Sequence, residues 1–355
     1  MHLTAQQRAE FVGAFANLNS GDISPNLNLS PGSGPTDDEF ENTREIGTRQ
    51  ADAVRSQLAS SGDPVGSGVA SRITYAAMRG YQVRPEFSGT GRTERTGWAI
   101  LGTAFGAGSQ EGGPGPSIFS EGLWNNRFSA TLASWRYRVD RYEAAIHAPK
   151  SILMSVGAMG WVQQQVPVQL IRLGRLWLAV MPGEVTAVVG VMYRRAVAEA
   201  TGVQERDVII QATSNGYTHF VTARWEYESQ QYEGGATVYG KHSAAAYCQI
   251  LDGLARAIVD DTEVALGLVP RDESAKALRS LQGANGAWQR FRDDQDFDTR
   301  FLWEDRLFSR SLVTLEWTVP AGVAGTCRFV YQGDRRTGLR RILPITATSR
   351  ASTVR

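Results

Sequence analysis

The feature that most constrains the fold is a series of buried strand-like and helical segments between residues 151 and 259. Pro182 and Gly183 interrupt the series, which places Glu184 at a corner between a strand and the following helix. Strands that alternate with helices predict an α/β, or mixed α+β, layer. The expected strands are residues 151–158, 167–173, 175–181 and 208–211, and the expected helices are residues 186–200 and 242–259, the second with Ala246, Ile250, Leu254 and Ile258 on one face.

The chain changes character after Pro270, where short strand-like segments separated by turns replace the alternation. The segments are residues 288–291, 301–303, 312–319 and 326–331. We therefore expect two domains, a larger one over residues 1–268 and a small β-domain over residues 269–355.

Composition excludes some classes of function. The chain has 37 basic and 36 acidic residues, so its net charge of +1 gives no support to nucleic-acid binding. No run of about 18 apolar residues predicts a membrane span. Residues 1–10 have no basic segment followed by an apolar one, so they do not have the pattern of a signal peptide.

Residues 21–29 form a polar, turn-rich segment that contains a candidate reactive group. Ser24 precedes Pro25, so its backbone is directed towards an extended conformation. Asp22 and Asn26 have side chains that hydrogen-bond to nearby backbone in turns. Two interpretations stay open: a rigid, exposed serine beside a carboxylate, or a purely structural turn.

A second candidate site lies in the acidic stretch near residue 296. Asp294, Asp296 and Thr299 would place two carboxylates and a hydroxyl on one loop, which suits a hard cation such as calcium or magnesium. A solvated acidic turn is the alternative interpretation.

Five segments, in order along the chain, give it a resemblance to a known family. Together they resemble the neutral/alkaline ceramidases, which are zinc-dependent amidases of sphingolipid metabolism. The segments are Gly21 to Asn26, Asn42 to Gly47, the glycine-rich loop Gly106 to Gly115, Pro167 to Gln169 together with Met181 to Thr186, and Tyr232 to Gly240.

The resemblance implies a fold, a reaction and a compartment. The fold would be the C-terminal part of a ceramidase catalytic domain, followed by a shortened immunoglobulin-like β-sandwich. The reaction would be hydrolysis of N-acylsphingosine to sphingosine and a fatty acid by a zinc-activated water. The family is typically secreted or periplasmic. Because residues 1–10 lack a signal-peptide pattern, we expect the chain to begin inside the catalytic domain, and a cytoplasmic location stays open.

The zinc ligands that the resemblance implies are two histidines, a glutamate and a tyrosine. Glu184 matches the glutamate, although a carboxylate favoured by a helix dipole is the alternative reading. Phe220, which has no oxygen, occupies the position of the tyrosine. His219 is adjacent, but on a strand it would point to the opposite face. None of the four histidines matches the family's histidine ligands, so zinc is doubtful for this chain alone.

Further site residues follow from the same resemblance. Ser24 matches an active-site serine, which we expect to bind near the scissile amide, with Asp22 in support. Tyr232 matches a tyrosine that donates to the developing oxyanion, and an aromatic packing residue is the alternative. Tyr217 and Tyr239 are expected to be structural.

Two functions from different classes remain. The first is a ceramidase-like hydrolase with a ceramide or other sphingolipid substrate and peripheral contact with a membrane. The second is a truncated or degenerate relative that lacks the upstream zinc-binding histidines and binds lipid without hydrolysing it.

Overall fold

A computed structural model describes residues 16–58, 62–123 and 127–270, together with three strands nearer the C-terminus. The chain divides into two compact units, Met1–Pro270 and Arg271–Arg355. The described part of the first unit combines helices and strands in the mixed arrangement that the sequence predicts.

The helices described in the first unit are, in chain order, α1 Glu39–Leu58, α2 Pro85–Ser88, α3 Thr103–Gly106, α4 Arg127–Val139, α5 Arg141–His147, α6 Ala187–Thr201, α7 Arg224–Ser229, α8 Tyr232–Ala236 and α9 Ser243–Val259, with a 3-10 turn at Glu205–Asp207. Its described strands are β1 Val69–Ala77, β2 Gln82–Val83, β3 Glu94–Arg95, β4 Leu101–Gly102, β5 Gly108–Ser109, β6 Gly113–Pro114, β7 Ile152–Met154, β8 Gln165–Leu173, β9 Leu176–Val180, β10 Glu184–Val185, β11 Val208–Gln211 and β12 Phe220–Val221.

The main sheet has four strands in the order β1-β8-β9-β11. Strand β8 pairs antiparallel with both β1 and β9, whereas β9 and β11 are parallel and are joined through α6. The turn between β8 and β9 requires glycine at 174, where φ is +55° and a Cβ would lie 2.1 Å from the Val65 carbonyl oxygen. The predicted strands at 167–173, 175–181 and 208–211 are confirmed, and the one predicted at 151–158 is limited to Ile152–Met154.

The core lies between this sheet and helices α6 and α9, which pack against each other. The predicted apolar face of α9 is confirmed, since Ala246, Ile250, Leu254 and Ile258 are each at most 6% exposed. Burial of such a face, at about 25 cal/mol per Å² of apolar surface, is what holds α9 on the sheet. None of the described helices is both long enough and apolar enough to cross a membrane.

The strands described in the second unit form an antiparallel sheet in chain order, β13 Leu312–Thr318, β14 Thr326–Gly333 and β15 Arg340–Thr348. The sequence predicted β13 and β14 but missed β15. The immunoglobulin-like sandwich stays a prediction, because the strands predicted at residues 288–291 and 301–303 fall outside the described residues. Asp294, Asp296 and Thr299 also lie outside them, so the calcium or magnesium site stays a prediction.

Candidate active site

Glu184 is fixed at the corner that the sequence predicts. After β9 ends, residues 184–185 leave the main sheet and pair in parallel with Phe220–Val221. The Glu184 amide donates to the His219 carbonyl at 2.9 Å, and the Thr186 amide donates to the Val221 carbonyl at 3.2 Å. Glycine is needed at 183, because a Cβ there would lie 2.7 Å from the His219 carbonyl oxygen.

Thr186 starts helix α6 and anchors the corner. Its side chain accepts a hydrogen bond from the Val189 amide, which makes it the N-cap. Its hydroxyl also lies 2.9 Å from Oε2 of Glu226, and the same carboxylate oxygen accepts from the Ala223 amide at 2.7 Å. The ends of α6 and α7 are therefore joined two residues from Glu184.

Tyr217 contacts the Glu184 carboxylate directly. Its phenol donates to Oε1 of Glu184 at 2.5 Å, while half of the residue is exposed. Burial, followed by this hydrogen bond and the charge of Glu184, raises the pKa of Tyr217 above 10. Tyr217, which the sequence suggested to be structural, is thus a direct partner of the Glu184 carboxylate, whereas Tyr239 is buried and donates to the Gln163 carbonyl.

His219 lies on the same side as Tyr217, and the expectation that it points away from the site is wrong. Its φ of +58° is left-handed, so the alternation of side chains along a strand does not apply to it. The His219 ring centroid is 5.4 Å from that of Tyr217 and 5.6 Å from that of Phe105. Burial, and secondarily the charge of Lys150, lower the pKa of His219 below 6.5.

Tyr232 begins helix α8 and lies within a group of aromatic rings. Its ring stacks on Phe105 with centroids 5.3 Å apart and meets Phe220 edge-on at 5.5 Å. Burial raises the pKa of Tyr232, and the nearby charge of Glu184 adds to this effect. The structure thus brings Tyr232 and Glu184, two predicted site residues, into one neighbourhood.

The segment that contains Asp22 and Ser24 is held against the Glu184 corner. The Gly21 amide donates to the Val185 carbonyl at 2.8 Å, and Oδ1 of Asp22 accepts from the Ala187 amide at 2.8 Å at the start of α6. Ser24 is half-buried, and its hydroxyl accepts from the Asn26 amide at 3.1 Å. No hydrogen bond joins Ser24 to Glu184 or Tyr232 among the described residues.

The glycine-rich loop joins the same site from the other side. The Asn26 side chain donates to the Glu111 carbonyl at 2.7 Å, which ties the serine segment to this loop. Burial raises the pKa of Glu233, and the charges of Glu111, Glu121 and Asp22 raise it further. The site therefore combines tyrosine hydroxyls with several carboxylates.

The zinc set implied by the resemblance is incomplete in this arrangement. Residue 220, which pairs with Glu184, is a phenylalanine without a donor atom. Within the described ranges no group of three or more His, Cys, Asp or Glu side chains is placed to hold a metal ion. A catalytic zinc takes about three protein ligands, so the described residues do not make a zinc site on their own.

The chain matches one known protein family along almost its whole length. The family model "Neutral/alkaline non-lysosomal ceramidase, N-terminal" matches residues 1–249, and the corresponding C-terminal model matches residues 254–354. A neutral ceramidase of Mycobacterium tuberculosis is 34% identical over 97% of this chain, and one of Pseudomonas aeruginosa is 38% identical over 78%.

Solved structures agree with this assignment. A ceramidase complexed with C2 superposes with a TM-score of 0.63 at 38% identity, over 74% of this chain and 41% of that one. A crystal structure of neutral ceramidase from Pseudomonas aeruginosa gives a TM-score of 0.60 at 33% identity, over 76% of this chain and 41% of that one. The chain spans 62% of the length of the mycobacterial relative and 42% of the Pseudomonas sequence. On these matches, the chain belongs to the neutral/alkaline non-lysosomal ceramidase family.

Proposed function

We propose that this protein takes part in hydrolysis of the amide bond of N-acylsphingosines, which yields sphingosine and a fatty acid. The observation that carries the proposal is the convergence of Glu184, Tyr217 and Tyr232 in one neighbourhood, within the unit that the family model matches. The curated relatives are named neutral ceramidases, and their longer chains make the activity of this chain a proposal.

Tyr232 would act as a hydrogen-bond donor to the substrate. Because its pKa is raised, its phenol keeps its proton at neutral and mildly alkaline pH. An amide carbonyl develops negative charge on its oxygen when water attacks the carbonyl carbon, and a fixed donor stabilises that charge. Phe105 and Phe220 contact the Tyr232 ring, which limits the directions in which the phenol can point.

Ser24 would bind near the scissile amide rather than attack it. The Ser24 hydroxyl accepts a hydrogen bond within a local turn. None of the described histidines forms a hydrogen bond with this hydroxyl, so none is placed to act as its general base. Asp22 supports this role indirectly, since it holds the segment on the first turn of α6.

Zinc activation of the attacking water fits the family but not the described residues. Glu184 and Tyr217 supply two oxygen atoms that are hydrogen-bonded to each other, and Phe220 supplies none. A zinc ion bound here would need imidazole ligands from other residues.

A non-catalytic relative that binds ceramide is the second candidate function. Phe220 favours it, because an aromatic ring next to Glu184 replaces a metal ligand of the family with an apolar contact surface. Tyr232 and Ser24 would then serve to bind the amide of the lipid. Export and peripheral membrane contact stay predictions under either function.

The two functions are separated by measuring turnover and binding in parallel. The purified chain is given a fluorescent short-chain ceramide, with and without added zinc, and product is measured by chromatography. For the hydrolase we expect turnover that falls about a hundredfold in Tyr232→Phe, since a lost oxyanion donor costs about that much. Tyr142→Phe is the control, because the Tyr142 ring is exposed and the residue lies outside the site.

Binding of the same lipid without turnover, weakened in Tyr232→Phe, would support the second function. If the chain shows neither turnover nor saturable binding of the lipid, both functions are contradicted.

A further inference from the structure

Lys150 is a fully buried lysine beside the candidate site. It has 0% exposure, and its ammonium donates to the Ile100 carbonyl at 3.0 Å and to the Thr237 carbonyl at 2.7 Å. The ammonium also lies 4.9 Å from the centroid of the Tyr227 ring. Its partners among the described residues are carbonyls and an aromatic face rather than a carboxylate, and burial lowers the pKa of Lys150 well below 10.5.

Lysine at this position is unusual for this chain, which has three lysines against 34 arginines. A Cβ at Gly102 would lie 2.9 Å from Cγ of Lys150 and 3.2 Å from Cα of Gly235, so the lysine stem lies in a space that glycine keeps open.

The two carbonyls that accept from Lys150 lie next to the two elements that carry the stacked rings. Ile100 immediately precedes β4, which leads into α3 and Phe105. Thr237 is the C-cap of α8, the helix that begins with Tyr232. These helices are in close contact, since a Cβ at Gly235 would lie 2.6 Å from the Phe105 amide nitrogen.

We propose that Lys150 is a positioning residue for Tyr232, because its ammonium fastens α8 to the segment before α3 and so fixes the stack of Tyr232 on Phe105. This inference rests on the proposed function for the role of Tyr232 in the reaction. The fastening itself is independent of any reaction. Burying a charged group at this place costs stability unless it makes such bonds, which is why both carbonyls are used.

The first test is a double-mutant cycle that combines Lys150→Met with Tyr232→Phe. In Lys150→Met we expect kcat for the short-chain ceramide to fall about tenfold with KM changed less than about threefold, since binding surface is kept and only the donor is misplaced. In a Tyr232→Phe background the same substitution should cost less than about twofold. A full tenfold loss in that background would mean that Lys150 does not act through Tyr232, and it would overturn the proposal.

The second test needs no turnover. Hydrogen exchange followed by mass spectrometry should show faster exchange of amides at residues 100–106 and 232–240 in Lys150→Met. Lys241→Met is the matched control. Lys241 is half-buried, and its hydrogen bond to the Ile146 carbonyl is made by the backbone amide, which the substitution keeps. Unchanged exchange in both segments would overturn the proposal.

Folding is checked by circular dichroism and thermal unfolding. If Lys150→Met does not fold, Lys150→Gln, which keeps a neutral donor, replaces it in both tests. Failure of both variants to fold would assign Lys150 a purely structural role and overturn the proposal. If the unaltered chain has no turnover, the proposed function fails, while the exchange comparison still decides whether Lys150 holds Tyr232.

Discussion

Phe220 stands directly opposite Glu184 in the parallel pairing of β10 and β12. Residues at paired positions of neighbouring strands project to the same face of a sheet, so a side chain at 220 is a close neighbour of the Glu184 carboxylate. A phenylalanine there contributes only apolar contact, and its ring meets Tyr232 edge-on.

Replacing Phe220 by tyrosine is therefore expected to add a metal ligand. The new phenol oxygen would lie beside Glu184, and we expect zinc to bind at least about tenfold more tightly to Phe220→Tyr than to the unaltered chain. The measurement is a zinc titration by isothermal calorimetry, supported by metal analysis after dialysis. Phe87→Tyr is the control, because it adds the same atoms beneath Arg84 rather than beside Glu184. Equal zinc affinity in all three proteins would contradict the prediction.

Gly21 is expected to be essential for docking the serine segment. A Cβ there would lie 2.9 Å from the Glu184 carbonyl oxygen and from the Val185 carbonyl carbon, closer than atoms tolerate. In Gly21→Ala we expect the bond from residue 21 to Val185 to break, with faster hydrogen exchange of residues 21–29. Gly47→Ala, in helix α1 with nothing within 4 Å of its added Cβ, should leave this segment unchanged. Normal protection of residues 21–29 in Gly21→Ala would show that the segment docks in another way.

Thr186 is expected to stabilise the corner through two bonds. Removal of its hydroxyl in Thr186→Ala loses the N-cap of α6 and the contact with Glu226, which should lower the free energy of unfolding by about 1–2 kcal/mol. Urea unfolding followed by circular dichroism gives the value. Thr186→Ser keeps the hydroxyl, so it should lose much less stability than Thr186→Ala. An equal loss in both variants would mean that the γ-methyl group, and not the hydroxyl, stabilises the corner.

His242 is expected to make the free energy of unfolding depend on pH. It precedes α9 and is 2% exposed. Burial lowers the pKa of His242 to about 4; the charge of Glu94 raises this pKa, whereas the charges of Lys241 and Arg224 lower it. The unfolded chain binds this proton near pH 6.5, so it holds more protons than the native state between about pH 6.5 and 4. The free energy of unfolding is therefore unaffected by His242 above about pH 6.5, and it decreases as the pH falls from about 6.5 to 4.

We expect His242 to account for a decline of up to about 1.4 kcal/mol per pH unit within that window. Urea unfolding at several values between pH 7.5 and 5 measures the slope. His242→Gln should flatten it, while part of the slope should persist because burial also lowers the pKa of His147. An identical slope in His242→Gln would assign the acid sensitivity to other groups.

The regular elements of the first unit were largely predictable, because their side chains follow the period of a strand or a helix over several turns. The corner at Glu184 was predictable for a local reason: Pro182 cannot continue a paired strand, and Gly183 permits close approach of the chain at His219. The family resemblance supplied the rest of the site, including the absence of an oxygen at 220.

The orientation of His219 was missed for one physical reason. Asn215 and His219 both have positive φ, so the chain between them turns instead of extending, and a strand-based argument places the His219 side chain wrongly. The Asn215–Gly216 pair is a turn signal that would have pointed to this. Lys150 was also missed, because burial of a charged residue depends on carbonyls of Ile100 and Thr237 that only the folded chain brings together.

The bond from the Ala187 amide to Asp22 spans 165 positions of the chain. Contacts of such separation carry a large loop-closure entropy and form late in folding, after local helices and hairpins. A chain that has collapsed without closing this loop would retain α6 and α9 yet leave the serine segment undocked from the Glu184 corner. Protection of the Ala187 amide against hydrogen exchange would therefore measure the fully native fraction of a preparation, which bulk helicity does not.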